Sequence, residues 1–426
     1  MQLTKLRGFR DLIGPDVRLM SVIEEQARLI ARQHNVAEIR VPVLERLDLY
    51  ARSTGETSDI VEKQLYVVQR SPDSLGVDDH VLRPEGTPGV VRAYIEAGLD
   101  RSDPDQRYFY CGPMFRYERP QKGRYREFYQ FGVEFFGRPD AAADAELMVM
   151  IDELRHALRL ELTFEINSLG DAQCRPIFRQ QLLEWGRKHL AELCDDCHQR
   201  LERNPLRLLD CKIDVKLTAT APKSGDFLCE PCRAHFDSVR DLLTDAGVPY
   251  KLNPRLVRGL DYYSRTAFEV ISTRIGAQSA VAAGGRYDGL VETLGGAPVA
   301  GTGFAIGIDR LALVLDARKF ELRPDATLIA LGDSAVPVAM RLSGEMRAAG
   351  LRVELLSPER GLKALLRKAD KIGARYALII GEDEIARGTA QLRDLRLSTQ
   401  REIACADAAQ VIVAESRETS DHEPGS

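Results

Sequence analysis

The most concentrated chemistry in this 426-residue chain lies between Phe115 and Glu134. Five basic residues, Arg116, Arg119, Lys122, Arg124 and Arg126, face one acid, Glu118, within eleven positions. Pro120 and Gly123 predict a turn in the middle, so the segment reads as strand, loop, strand. Arg116 falls on the first strand, where its planar fork can grip a phosphate through two parallel hydrogen bonds. On the return strand, the two-residue period places Gln130, Gly132 and Glu134 on one face. Gly132 has no side chain and is expected to leave room above the sheet for a flat ligand ring. A solvated charged hairpin is the competing reading, but three polar or empty positions on one face of an aromatic strand argue for a site.

Several common chemistries are missing. The chain has no Gly-Lys dipeptide and therefore no Walker-type phosphate loop. Gly301-Thr-Gly303-Phe-Ala-Ile-Gly307 has one residue too many for a dinucleotide fingerprint and opens no β-α-β unit. Neither a His-Glu-x-x-His zinc motif nor a Gly-x-Ser-x-Gly elbow occurs. A bound nucleotide must therefore be held by arginines over a sheet surface.

Five of the eight cysteines fall between Cys194 and Cys232. Cys194-Asp-Asp-Cys197 and Cys229-Glu-Pro-Cys232 could together supply a four-thiolate zinc site stapling a region of modest core. Reduced thiols at helix ends fit the same spacing, because the gap between the pairs exceeds that of the most specific zinc patterns. The role is structural on either reading. No secretory signal precedes them, which argues against a disulfide framework.

The elements that must position these groups follow from periodicity. Val17–Gln33 has helical spacing of apolar residues (Val22, Ile23, Ala27, Ile30). Ala37–Leu44 alternates like a strand, with Pro42 suited to an edge or bulge near a subunit contact. Strands are expected at Gln64–Gln69, Arg107–Cys111, Glu127–Gly137, Ala267–Ser272 and Ala280–Ala283, forming an antiparallel sheet. Gly303–Leu315 reads as the start of an apolar helix. Residues 171–250 are rich in Arg, Glu and Leu at helical spacing, a helical insertion. After a linker at Arg323–Asp325, strands and helices alternate as β-α-β-α-β through Ile380, a small α/β domain with a largely parallel sheet. Between Val336 and Tyr376, nine Lys and Arg oppose four acids, inside a chain of net charge −5. That local excess suits a phosphate backbone, although on charge alone a solvated helix face is the better explanation. The polar segment 416–426 reads as a disordered tail. No apolar run is long enough to span a bilayer and the N-terminus lacks a signal-peptide pattern, so no membrane association and a cytoplasmic location are expected.

The Phe115–Glu134 block closely resembles motif 2 of class II aminoacyl-tRNA synthetases, in the form found in histidyl-tRNA synthetases. Leu82-Arg-Pro-Glu-Gly-Thr-Pro-Gly89 resembles that family's substrate-amine loop. Arg258-Gly-Leu-Asp-Tyr-Tyr-Ser-Arg-Thr-Ala-Phe-Glu269 and Ala283-Gly-Gly-Arg-Tyr-Asp-Gly-Leu290 match two histidine-specific motifs. Gly303-Phe-Ala-Ile-Gly-Ile-Asp-Arg310 is similar to motif 3, with Asp309 where a longer acid is usual, and the Pro42 region is similar to motif 1. The resemblance runs over nearly the whole chain, from about Leu6.

It implies an α+β catalytic domain, built on a class II antiparallel sheet with flanking helices and made of residues 1–170 and 251–322. The helical insertion 171–250 interrupts that domain, and an α/β anticodon-binding domain at 326–415 follows it. It further implies ATP-dependent activation of L-histidine, with Mg2+, and transfer to histidine tRNA by a homodimer. Glu85, with Gly86, Thr87 and Gln130, would receive the α-ammonium of histidine; Glu134 and Tyr263 would bracket the imidazole, with Tyr262 beside them. Arg116 would hold the α-phosphate and Arg310 the γ-phosphate of a bent ATP, with Glu118 and Arg124 in the nucleotide site. Arg258 would touch both the α-phosphate and the histidine carboxylate, making Arg258 and Arg116 the catalytic pair. Gln121 would meet the extra guanosine of histidine tRNA. The resemblance leaves two alternatives without catalysis: the synthetase-like regulatory subunit of ATP phosphoribosyltransferase, which usually lacks the C-terminal domain, and a tRNA-sensing module of the kind fused to kinases, although no kinase motif occurs here.

Overall fold

The computed structural model describes residues 3–54, 60–68, 80–258, 262–276, 280–320, 323–356 and 361–420. The chain divides into two compact units, Met1–Phe320 and Glu321–Ser426.

The first unit is organised by an eight-stranded sheet: β1 (Ala37–Glu38), β2 (Gln106–Phe115), β3 (Glu127–Phe136), β4 (Thr163–Ser168), β5 (Tyr250–Leu252), β6 (Ser264–Ile271), β7 (Ala280–Arg286) and β8 (Gly301–Gly307). Their spatial order is β1-β2-β3-β8-β7-β6-β4-β5. All neighbours are antiparallel except β1 with β2 and β4 with β5, at the two edges. Pro42 lies between β1 and a further short strand, Leu44–Arg46, outside any ladder that would need its missing N–H.

Two-residue alternation assigns the faces. Phe109, Phe131, Val133, Phe135, Phe268, Val270, Phe304 and Ile306 enter one core, packed against the helices Pro15–Gln33 and Ala141–Ala157. The first of these buries Leu19, Met20, Ile23, Ala27, Ile30 and Ala31, the stripe its periodicity demands. Asp140 caps the second, accepting from Ala143 N at 3.1 Å. The intervening residues of the same strands point to the opposite face.

Three sequence expectations change here. The stretch from Gly303 is not helical at first: Gly301–Gly307 forms β8, inserted between β3 and β7, and only Ile308–Ala312 is helix. Its continuous apolar character is that of a strand buried on its core side and lined by glycine and alanine on the other. The insertion is mainly helical (Arg175–Lys188, Asp195–Arg203, Glu230–Asp245), but its end, Tyr250–Leu252, joins the large sheet as edge strand β5. Of the strand expected at Gln64–Gln69, Tyr66–Val68 is formed, and Gln69 lies outside the described residues.

The insertion is anchored by a buried polar node. Arg286 donates to Asp144 Oδ1 at 2.6 Å, and His235, on the helix Glu230–Asp245, meets Asp144 Oδ2 at 2.8 Å. Arg286 also donates to the carbonyls of Arg138 and Asp140, so its charge is buried with its donors occupied.

The second unit carries a five-stranded sheet in the order Val353–Leu356, Ala326–Ala330, Tyr376–Ile380, Thr389–Asp394, Thr399–Ala404. The first three strands are parallel, as the β-α-β-α-β pattern implies; the last two add an antiparallel hairpin beyond the elements expected through Ile380. The outer hairpin strand is mostly exposed and polar, so it carries no apolar alternation to read. Ile329, Ala377 and Ile379 pack under the helix Leu362–Lys371, whereas Leu328, Leu378 and Ile380 pack under Ala335–Ala348 and the C-terminal helix. That last helix, Ala408–Ser420, seats Ile412 in the core, and its backbone runs on through 416–420, the start of the segment read as a tail. Residues 421–426 lie outside the described residues.

Candidate active site

Strand geometry builds a cleft on the open face of the large sheet. Its lining includes Glu85, Thr87, Arg116, Glu118, Arg124, Gln130, Arg258, Tyr262, Tyr263 and Arg310, ten of the residues expected from the sequence. They come from distant parts of the chain. Glu85 and Thr87 flank Gly86, which opens the helix Thr87–Glu96. Arg116 lies one residue beyond the end of β2, its backbone N bonded to Arg126 O at 3.0 Å. Arg310 sits in the short helix following β8.

The two ends of this cleft differ in charge. At one end, Arg116, Arg124 and Arg310 converge. Arg116 Nε donates to Pro84 O at 2.9 Å, and Arg310 Nη1 to Ala280 O at 2.9 Å. Among the described residues neither forms an ion pair, whereas Arg124 pairs with Glu118 at 3.1 Å. Burial, then repulsion from Arg124 and Arg116, pulls the Arg310 guanidinium below its ordinary value. Such a cluster is unfavourable until an anion arrives. Arg258 is paired with Glu269, a cleft residue to which sequence patterning assigned no role. Alternation from Ala267 places Glu269 on the open face, and a buried guanidinium nearby demands a counter-charge; those two signals together could have found it.

At the other end, acceptors lack donors. Glu85 Oε2 accepts from Tyr262 at 3.1 Å, but among the described residues its buried Oε1 has no partner, and neither has Gln130 Oε1. Burial raises the Glu85 carboxyl above its usual range, opposed by the charge of Arg116. A cationic donor at this end would satisfy both oxygens.

Glu134 lies behind the cleft wall and is 1% exposed. It accepts from Thr87 Oγ1 at 2.6 Å and from Tyr287 OH at 2.5 Å. Burial pushes its carboxyl up to about 8. Tyr287, within the Ala283–Leu290 motif, was assigned no role from sequence, although a buried carboxylate requires such a donor. Gly303 is the cross-strand neighbour of Glu134, and a Cβ there would stand 1.9 Å from Glu134 Oε2. The absent side chain of Gly303 seats the carboxylate.

Gly132 does not serve as expected. Its cross-strand neighbour is Tyr110, and a Cβ on Gly132 would lie 2.2 Å from that ring. Gly86 abuts the same ring, where a Cβ would fall 2.3 Å away. The space over both glycines is therefore filled by Tyr110 rather than left for a ligand ring. Gln121 sits at the exposed tip of the β2–β3 hairpin, bridged to Arg124 by backbone bonds of 2.9 and 3.1 Å. Asp309, the shorter acid, still reaches Tyr129 N at 2.6 Å and is paired with Arg10, whose guanidinium stacks 3.3 Å from the Tyr125 ring centre.

The four thiols grouped from the sequence do not converge. Cys229 and Cys232 gather with Asp171 and Cys174, and Cys194 and Cys197 with Cys211 and Asp214. Chain folding brings each pair beside a nearer partner, so one four-thiolate site is ruled out.

The family model described as Histidyl-tRNA synthetase matches residues 8–173 and 188–311, and one described as Anticodon binding domain matches residues 325–415. The chain belongs to the histidyl-tRNA synthetase family. A Histidine–tRNA ligase of Solidesulfovibrio magneticus is 48% identical over 95% of each chain. That of Geobacter metallireducens is 46% identical over 94% of this chain and 97% of its own. The apo histidyl-tRNA synthetase of S. aureus, 32% identical, superposes over 96% of this chain and 100% of its own with a TM-score of 0.77. The class II fold, a central sheet flanked by helices and followed by an anticodon-binding domain with its own sheet, is the one described above.

Proposed function

We infer that this chain is a histidine–tRNA ligase, which activates L-histidine with ATP and transfers it to histidine tRNA. The observation that carries the reading is the polarity of one cleft. Unneutralised guanidiniums occupy one end, and donor-starved acceptors backed by a buried carboxylate occupy the other.

The α-ammonium of histidine binds between Glu85, Thr87 and Gln130, filling the two orphaned acceptors beside Gly86. The imidazole enters between Glu134 and Tyr263, with Tyr262 along the wall. A carboxylate and a phenol can serve both ring nitrogens at once, and an apolar isostere would leave them unpaired. Arg116 and Arg258 hold the α-phosphate, Arg258 also the substrate carboxylate, and Arg310 the γ-phosphate, with Arg124 and Glu118 at the nucleotide. Mg2+ accompanies ATP. Glu118 and Glu269 lie near Arg310 in the cleft, each paired with an arginine, and would be the side chains on hand to hold the ion, whose charge would offset that of the phosphates.

The carboxylate of histidine attacks the α-phosphorus in line, and pyrophosphate departs. No protein nucleophile takes part; positioning and charge neutralisation lower the barrier. The adenylate then acylates the terminal ribose of the tRNA, with Gln121 at the hairpin tip placed for the acceptor end. On the C-terminal unit, Lys363, Arg367, Lys368 and Lys371 are exposed along one helix and offer charge to the tRNA backbone. The enzyme works as a homodimer, for which the short edge strand β1 and the exposed Val43 and Leu44 beside it offer a surface. It acts in the cytoplasm; among the described residues no helix is long and apolar enough to cross a membrane. The regulatory-subunit reading is disfavoured by the anticodon-binding domain at 325–415.

Histidine-dependent exchange of pyrophosphate into ATP tests the assignment. Exchange that requires histidine, and that no other amino acid supports, is the expected result; its absence in folded protein would refute catalysis.

A further inference from the structure

The insertion contains two sets of donors of the same make-up. Asp171 and Cys174 face Cys229 and Cys232; Cys194 and Cys197 face Cys211 and Asp214. Each set has three thiols and one carboxylate, supplied by two segments whose donors stand three residues apart. In each set the four ligand atoms lie within 4.8 Å of one another.

The separations are those of an ion-centred tetrahedron. Zinc–sulfur bonds of about 2.3 Å and zinc–oxygen bonds of about 2.0–2.2 Å give S···S edges of about 3.8 Å and S···O edges of about 3.6 Å. Cys174 and Cys232 Sγ are 3.8 Å apart, and Cys194 and Cys211 Sγ 3.7 Å. Asp171 Oδ1 stands 3.4 Å from Cys174 Sγ and 3.8 Å from Cys229 Sγ, and Asp214 Oδ2 stands 3.6 Å from Cys211 Sγ. Two thiols in van der Waals contact lie equally close, so distance alone does not decide. A disulfide in either set would strand one thiol and a carboxylate against it, whereas a metal ion uses all four donors.

The surroundings suit anionic ligands. Cys194 and Cys229 directly precede the helices Asp195–Arg203 and Glu230–Asp245, and Cys197 and Cys232 lie in the first turns, where free N–H groups and the helix dipole favour thiolates. Backbone amides orient the donors: Asp214 N to Cys211 Sγ at 3.4 Å, Asp171 N to Cys174 Sγ at 3.2 Å, Cys194 N to Asp214 Oδ2 at 3.1 Å. Arg265 stands 3.8 Å from Asp171.

We propose that the insertion binds two zinc ions, one at Asp171, Cys174, Cys229 and Cys232, the other at Cys194, Cys197, Cys211 and Asp214. The first ties the entry of the insertion to the start of its last helix. The second closes the segment between Cys194 and Asp214 on itself, a stretch whose own core is small. Both act as staples where apolar burial is limited.

The test is metal content of the full-length chain purified without chelator. Two equivalents of zinc are expected, falling to one in Cys174→Ser/Cys232→Ser and to one in Cys197→Ser/Cys211→Ser. A wild-type content of one or none overturns the proposal, as does a folded double variant that keeps both ions. Because a variant stripped of a staple can fail to fold, cobalt(II) titration of the metal-depleted wild type supplies a measurement that needs no substitution. Thiolate-to-cobalt charge transfer with tetrahedral d–d bands, saturating at two equivalents, supports two sites; saturation at one or no such bands refutes them.

Discussion

The two larger sheets of this molecule are covered differently, and function follows the difference. In the C-terminal unit helices lie on both faces, as its parallel strands require, and the two central strands, Ala326–Ala330 and Tyr376–Ile380, are buried throughout. The large sheet is almost entirely antiparallel and is sealed by helices along one face. The other face is covered only in part, by the helix Thr87–Glu96 at one side and by the insertion at the other, and the cleft forms in the stretch left open between them, over Gln130, Ala283, Gly303 and Ala305. An antiparallel sheet can leave part of a face uncovered without exposing its core; on this fold the uncovered stretch became the place for chemistry.

Substitutions on the two sheets should therefore fail differently. Arg258→Ala should reduce histidine-dependent pyrophosphate exchange by about 10²–10³-fold, the effect of losing one preorganised charge partner, with an unchanged melting temperature. A near-normal rate would break the contrast. Leu378→Ala, on the fully covered sheet, should destabilise its unit by about 2–5 kcal/mol in denaturant unfolding while leaving exchange intact. Gly303→Ala should displace the Glu134 carboxylate, costing about 1–3 kcal/mol of stability and raising the KM for histidine in steady-state assays.

The subtlest effect concerns pH. With its carboxyl pushed up to about 8, Glu134 in the free protein holds its proton at neutral pH, and its ionised form is the stronger acceptor for an imidazole N–H. Histidine binding therefore favours loss of that proton, so the KM for histidine should fall as pH rises toward 8 and level off above it. Glu134→Gln should show a higher KM without that slope. A slope that persists in the variant would assign it to another group.

Much of the open face was legible because alternation survives there: Gln130, Gly132 and Glu134 share a side as the two-residue period requires. What period alone cannot supply is the identity of the cross-strand neighbour. Tyr110 fills the space over Gly132, and Gly303 makes the space for Glu134; both depend on register between strands far apart in sequence. Tyr287 escaped for the same reason. The glycine-rich strand β8 looked helical because it runs straight into the helix Ile308–Ala312 without a turn residue of its own. The cysteine pairs were visible as pairs, but which pair meets which aspartate is a matter of tertiary packing, and Asp171 and Asp214 carry no signal as ligands until the chain is folded.

The node at Asp144 bears on how this architecture can be pared down. One of the two partners holding that buried acid, His235, belongs to the insertion; the other, Arg286, belongs to the strand beneath the cleft. A minimal catalytic fragment with the insertion excised would leave one oxygen of Asp144 without its hydrogen-bond partner in a buried interior. The inserted segment is thus a keystone of the domain it interrupts, and trimming it away would loosen the floor on which histidine is to be activated.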